Sequence, residues 1–268
     1  MDRRRLFSKK IAIVTIARDE KPFIDEWLVY HRLIGADHIF VYDDDLTPGL
    51  QEFLQPHTKY TTTIRWYNPQ FQRNQQLEAY RNALQHHLAD YRWVAFIDVD
   101  EFIVLEKHTN LKEFLSSLNN TSAVSLQWRR FGHNGHYENP KGLVTSELTR
   151  RKRLPCANRV KSITRCEAIA SITGVHHCEL KPGCSSITAN TAHINHYMCR
   201  SFVKWMSRPE RVDPCDPNLN PGNAWKHSKE GCLRKFVTDV ALNWNEHVDK
   251  EMLKYKPILE QAIKNLGR

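Results

Sequence analysis

Along the N-terminal part of the chain, short β-branched apolar runs alternate with longer stretches whose apolar residues recur at helical spacing. Ile11-Ala12-Ile13-Val14-Thr15-Ile16 shows no polar alternation, as expected of a strand covered on both faces. It ends at Arg18-Asp19-Glu20-Lys21, and Pro22 then opens a helix with Phe23, Ile24, Trp27, Leu28, His31 and Leu33 near one face. Gly35 closes that helix. His38 to Tyr42 reads as a second strand, stopped by Asp43-Asp44-Asp45 and a Thr-Pro-Gly turn, and Thr62 to Trp66 as a third. Gln75 to Leu88 carries Leu77, Tyr80, Ala83, Leu84 and Leu88 as a helix, and Trp93 to Ile97 is a fourth strand running into Asp98-Val99-Asp100-Glu101-Phe102.

Strands alternating with helices predict an α/β fold, a mostly parallel sheet with helices on both faces. Ligands of such sheets bind beyond the carboxyl ends of the strands. The acidic groups at 19–20, 43–45 and 98–101 each follow a predicted strand, so they converge on one rim. After residue 123 the rhythm changes. A strand at Ala123 to Trp128 leads into the loop Phe131-Gly132-His133-Asn134-Gly135-His136, strand-like segments follow at 160–165 and 185–195, then a Pro-rich loop at 209–222 and a final helix over 247–266. Neither an internal repeat nor a low-complexity linker breaks the chain. Residues 1–268 therefore read as one domain, 1–122 its ligand-binding part and 123–268 a second part ending in the C-terminal helix.

The 268 residues are 41% hydrophobic and 26% charged, enough to bury a core and ordinary for a globular chain. The formal charge of +9 suits phosphorylated ligands, nucleic acid or an anionic membrane surface and does not choose among them. Short basic groups such as Arg129-Arg130 and Arg150-Arg151-Lys152-Arg153 read first as solvated faces. No apolar run approaches the roughly 20 residues that span a bilayer, and seven scattered cysteines without a CxxC pair fit reduced thiols, so a cytoplasmic location is expected.

Asp98 and Asp100, on an extended segment, would point to one side and offer hard oxygen ligands for Mn²⁺ or Mg²⁺. Burying several carboxylates at the end of an apolar strand without a cation costs several kcal/mol, roughly, which favours a metal role over solvated strand-end acids. Asp43-Asp44-Asp45 reads either as a turn or as a nucleotide contact. His196, after a predicted strand, is a candidate third metal ligand, while His193 and His196 lack partners for a zinc site. The chain has neither a GxxxxGK[ST] phosphate loop nor a GxSxG elbow.

Taken in order, the segments Ile13-Val14-Thr15-Ile16-Ala17-Arg18-Asp19-Glu20, Glu26 to His31, Gly35 to Asp45, Gln76, Tyr80, Trp93, Phe96 to Phe102, Trp128 to His136, Lys161-Ser162-Ile163, His176-His177 and Asn195-His196-Tyr197 resemble glycosyltransferase family 92 and its family 2-like relatives. The resemblance covers residues 11 to about 200. It implies a GT-A fold, a nucleotide-diphosphate sugar donor, a divalent metal and inversion at the anomeric carbon. Galactose from UDP-galactose is the best-known transfer. The implied metal ligands are Asp98, Asp100 and His196. Arg18, Glu20, Asp43, Asp45, Gln76, Asp98 and Lys204 would face the nucleotide sugar, and Trp128, His133 and His136 the acceptor. The candidates for catalytic base are Glu101, Glu179 and Asp213. Two departures stand out: Asp19 replaces the usual Asn of an Arg-Asn-Glu motif, and Gly132-His133-Asn134-Gly135-His136 carries larger residues than the small ones expected.

The expectation is thus a metal-dependent inverting hexosyltransferase acting on a glycan or glycolipid acceptor in surface polysaccharide or lipopolysaccharide synthesis, cytoplasmic or peripheral at the inner membrane face. Two other classes stay open: a metal-dependent nuclease or nucleotidyltransferase, against which the lack of a basic stripe interleaved with aromatics counts, and a non-catalytic glycan-binding homologue.

Overall fold

The structure, a computed structural model, describes residues 10–68, 74–207 and 228–267. Asp213 and the Pro-rich loop therefore lie outside the described residues. Four parallel strands form the first half of the central sheet: β1 (Ile11–Ala17), β2 (His38–Asp43), β3 (Thr61–Arg65) and β4 (Trp93–Phe96), in the order β3-β2-β1-β4. β5 (Glu101–Leu105), β6 (Ala123–Arg130), β8 (Cys156–Arg165) and β12 (Ala192–His196) continue it as β4-β8-β6-β12-β5, with β11 (Ser186–Thr188) pairing alongside β6. β4–β8, β8–β6 and β12–β5 are antiparallel and the other pairs parallel, so the sheet is mixed but mostly parallel. Two small ribbons lie outside it. One pairs β7 (Arg150–Arg151) with β13 (His247–Val248), the other β9 (Ile169–Ser171) with β10 (Glu179–Leu180).

Alternation along β1 decides which helix covers which face. Ile11 and Ile13 pack with Ile24, Trp27 and Leu28 of α1 (Lys21–Leu33), whereas Ala12 and Val14 pack with Ala79, Tyr80 and Ala83 of α2 (Gln75–His86). Each fully buried side chain of Leu28's size contributes about 1.5–3 kcal/mol. Pro22 sits in the first turn of α1, where its missing N–H has no partner to lose, and Gly35 supplies the φ of +103° on which the chain leaves toward β2. The α/β expectation, with helices on both faces, is met. A third cluster joins Trp205 of a short helix (Phe202–Met206) to Cys232, Phe236, Val240 and Trp244.

β5 lies at an edge of the sheet, and the sequence reading did not separate it from the acidic motif before it. Its outward backbone groups are taken up by side chains of α1. Trp27 Nε1 donates to Glu101 O at 2.8 Å, Tyr30 Oη to Ile103 O at 2.7 Å, and Ile103 N donates to His31 Nε2 at 3.4 Å. The apolar helix face thus also closes the edge to further pairing.

The helix expected over 247–266 is shorter. His247–Val248 pairs with Arg150–Arg151, Glu251–Tyr255 is a 3₁₀ turn, and the α-helix runs only over Lys256–Lys264. Pro257 at its first turn fixes that start, while Asp249 Oδ1 accepts the Glu251 amide just upstream. The segment 185–195 resolves into β11 and β12. No described helix is long and apolar enough to cross a membrane.

Candidate active site

The carboxyl ends of β1, β2 and β4 bring the three acidic groups onto one rim. Asp44 N donates to Ala17 O, and Asp19 N to Asp45 Oδ1 at 2.6 Å. Ile97 N donates to Val14 O, tying the approach to Asp98 to β1.

Asp98-Val99-Asp100 is a turn rather than an extended segment, because Glu101 N closes back on Asp98 O at 3.0 Å. The two aspartates consequently have different surroundings. Asp98 Oδ1 accepts from Gln76 Nε2 at 2.5 Å, Tyr80 Oη at 3.3 Å and Lys161 Nζ at 3.2 Å. Asp100 Oδ1 instead lies 3.3 Å from His196 Nε2. β12 brings His196 there, since it pairs with Glu101 across the antiparallel ladder and Tyr197 N donates to Asp100 O.

Glu101 is shut from solvent. Its Oε2 accepts the Asp98 amide at 3.0 Å and lies 3.5 Å from Lys161 Nζ. Burial pushes its carboxyl well above the usual carboxylate range; Lys161 offsets this only in part, and Asp98 and Asp100 act in the same direction as burial. Burial works against the charge of Lys161, but Asp98 and Glu101 outweigh it and hold the ammonium form. Glu101, expected as a base, therefore anchors the turn from inside. Gln76, expected at the nucleotide, also turns inward and fixes Asp98, with Tyr80 as its second partner.

Asp43 and Asp45 are 2% and 6% exposed. Asp43 Oδ1 pairs with Arg65 at 3.0 Å and accepts the Asp45 amide at 3.1 Å. Arg18 is engaged with Asp44, side chain to side chain at 2.5 Å and to its carbonyl at 3.1 Å. Burial raises the Asp44 carboxyl against the pull of Arg18, and raises that of Asp45 against its bond from the Asp19 amide. Glu20 is bridged by Arg200 and by Lys204, the latter at 3.4 Å, and Lys204 Nζ also donates to Asp19 O.

Trp128 packs edge-on to His196, with ring centroids 4.3 Å apart, and also against His176. Burial, reinforced by the charge of Lys161, lowers the His176 imidazole to about 4. His133 meets Phe236 and Asn245, and His136 lies 3.8 Å from Glu147. Glu179 is exposed on the β9–β10 ribbon, where Ser171 and Thr173 donate to it. The structure thus gathers Asp98, Asp100, Glu101, Gln76, His196 and Trp128, and gives Glu179 a separate setting. Lys161 and Tyr80 were not singled out as site residues. A lone lysine within the strand segment Val160-Lys161-Ser162-Ile163 was the available signal, since a strand interior seldom holds an unpaired charge.

Among the described residues no three His, Cys, Asp or Glu side chains form a metal cage. A two-residue site with a phosphate-bearing ligand needs none, because Mg²⁺-type ions take one or two protein ligands and fill the rest from water and phosphate oxygens. Two ligands at about 2.1 Å from one ion and at right angles are about 3 Å apart. The 3.3 Å between Asp100 Oδ1 and His196 Nε2 fits that span.

The sequence profile of glycosyltransferase family 92 matches residues 13–239. A family 92 protein of Oryza sativa subsp. japonica is 29% identical over 194 residues, which is 70% of this chain and 33% of that protein. One of Ricinus communis is 31% identical over 196 residues, covering 70% and 35% respectively. The chain spans about a third of the length of these curated relatives. Among solved structures it is similar to mannosyl-3-phosphoglycerate synthase from Rubrobacter xylanophilus, at 12% identity and a TM-score of 0.44 over 89% of this chain and 77% of that one. With the match running across most of the sequence, the chain belongs to glycosyltransferase family 92.

Proposed function

We propose that this chain is the catalytic unit of a metal-dependent, inverting glycosyltransferase that moves a hexose, galactose in the first instance, from a UDP-linked donor to a hydroxyl of a glycan or glycolipid acceptor. The observation that carries this reading is the Asp100–His196 pair, set on the rim where the parallel strands end and backed by a fixed Asp98. Family membership supports sugar transfer as the reaction.

Asp100 and His196 would hold Mn²⁺ or Mg²⁺, which supplies Lewis-acid stabilisation of the departing diphosphate. The chain's own contribution is positioning. Lys161, Gln76 and Tyr80 hold Asp98 Oδ1 on one side of the turn while Glu101 Oε2 accepts the Asp98 amide. Trp128 packs on the His196 ring and limits its rotation. Preorganised groups of this kind lower a barrier because they need not rearrange as charge develops.

The test is a thermal-shift panel of nucleotide-diphosphate sugars with Mn²⁺, with Mg²⁺ and with chelator, followed by transfer assays on the stabilising donor. A ligand present at 100 times its dissociation constant adds about 2.7 kcal/mol. Metal-dependent stabilisation by a UDP-sugar, with transfer lost in a folded Asp100→Ala protein, is expected. Transfer that survives that substitution, or stabilisation by an oligonucleotide alone, rejects the reading.

A further inference from the structure

β6 ends in Trp128-Arg129-Arg130, and alternation sends the two arginines to opposite faces of the sheet. Arg129 is consumed by acids: Glu106 at 2.5 Å, Glu251 at 3.7 Å and Asp249 at 4.0 Å. Arg130 makes no side-chain hydrogen bond or ion pair with any described residue. Its guanidinium carbon instead lies over two indole rings, 5.8 Å from the centroid of Trp128 and 5.3 Å from that of Trp244. Arg130 Nε, Trp128 Nε1 and Trp244 Nε1 are all enclosed donors without an acceptor among the described residues. Buried polar groups are nearly always paired, so three unpaired donors around one cation call for an acceptor that the described residues do not supply and a bound ligand can.

The place of this cluster narrows its ligand. Arg130 is the register partner of His196 in the parallel β6–β12 pair, so the two side chains leave the same face at the carboxyl end of the sheet. Trp128 touches both, meeting His196 at 4.3 Å. The cationic alternatives nearby, Arg200 and Lys204, are already engaged with Glu20. A planar guanidinium backed by aromatic faces keeps its fork of donors oriented for one oxyanion, the geometry that favours phosphate.

We propose that Arg130, walled by Trp128 and Trp244, is a phosphoryl-binding residue beside the Asp100–His196 pair. The inference rests on the proposed metal reading only for the identity of its neighbour. One chemistry has two sources here, the diphosphate of the donor and a phosphate carried by the acceptor, and the test separates them.

The full chain is titrated with UDP plus Mn²⁺, with uridine plus Mn²⁺, and with inorganic phosphate without metal, using calorimetry and the fluorescence of the flanking tryptophans. Arg130→Gln should weaken UDP and phosphate at least about tenfold and leave uridine unchanged, with Arg130→Lys recovering only part because it lacks the fork. Loss confined to inorganic phosphate assigns the subsite to the acceptor. Unchanged affinity for both UDP and phosphate overturns the proposal. In the wild-type chain, phosphate should also slow phenylglyoxal modification of Arg130, read by peptide mass; absence of protection counts against the proposal without any variant. Asp100→Asn should remove the Mn²⁺ dependence of UDP binding yet keep the metal-free affinity for phosphate, so a failure of the metal reading shows in that arm alone.

Discussion

Acidification should loosen the contact between α1 and the edge of the sheet through His31, and the size of the effect follows from its surroundings. The ring is fully buried, its Nδ1 bonds Trp27 O at 2.8 Å, and its Nε2 accepts from Ile103 N at 3.4 Å. Only the neutral imidazole can accept there. Burial lowers the imidazole from 6.5 to about 3, the Trp27 carbonyl opposing only in part. Because the folded value is depressed, the unfolded chain binds the proton first. The stability is therefore intact above about pH 6.5 and is lost as pH falls toward 3. Between pH 7 and pH 5 the loss from this one group is about 2 kcal/mol, since nearly every unfolded chain is protonated at pH 5 while the folded chain is not. Other buried histidines add their own terms, so a difference between proteins isolates this one. Urea unfolding of wild type and His31→Gln, followed by tryptophan fluorescence at both pH values, is the assay. The variant should be the less stable at pH 7, yet lose about 2 kcal/mol less on acidification than wild type. Equal losses in the two proteins refute the assignment.

Three further outcomes are expected. Lys161→Met leaves Asp98 and Glu101 without their buried counter-charge and should cost about 3–5 kcal/mol in urea unfolding, with Glu101→Gln in the same chain restoring part of it; a neutral result contradicts the pairing. Gly132→Ala places a Cβ 2.6 Å from Trp244 O and 2.4 Å from Asn245 Oδ1, so the melting temperature should fall by several degrees, corresponding to about 1–3 kcal/mol; an unshifted transition rejects the close approach. His196→Phe keeps the ring packed on Trp128 but removes the nitrogen proposed to bind the metal, so calorimetry should show Mn²⁺ affinity lost with the fold kept; retained affinity removes His196 from the site.

The sequence was most legible where local pattern and burial agree. α1 and α2 follow from apolar residues spaced near 3.6, and β1, β2 and β4 from short continuous apolar runs bounded by polar groups, as expected of strands covered on both faces. β5 was not separable in the same way, because its first residue is Glu101 and an apolar run adjoining an acidic turn carries no boundary of its own. The C-terminal helix was overextended because helical spacing runs back through residues whose pairing with β7 appears only in three dimensions.

The sequence by itself therefore determined the α/β alternation, the rim on which the acidic groups collect, and the family. Only the tertiary structure decided what each charged side chain does. Arg18, Arg65, Arg129 and Lys161 are committed to acids far away in sequence, whereas Arg130, adjacent to Arg129, is paired with no described acid. The physical reason is that strand and helix signals are carried by neighbours along the chain. The pairing of a buried charge depends on which strands lie side by side, and that order is set by packing of the whole sheet.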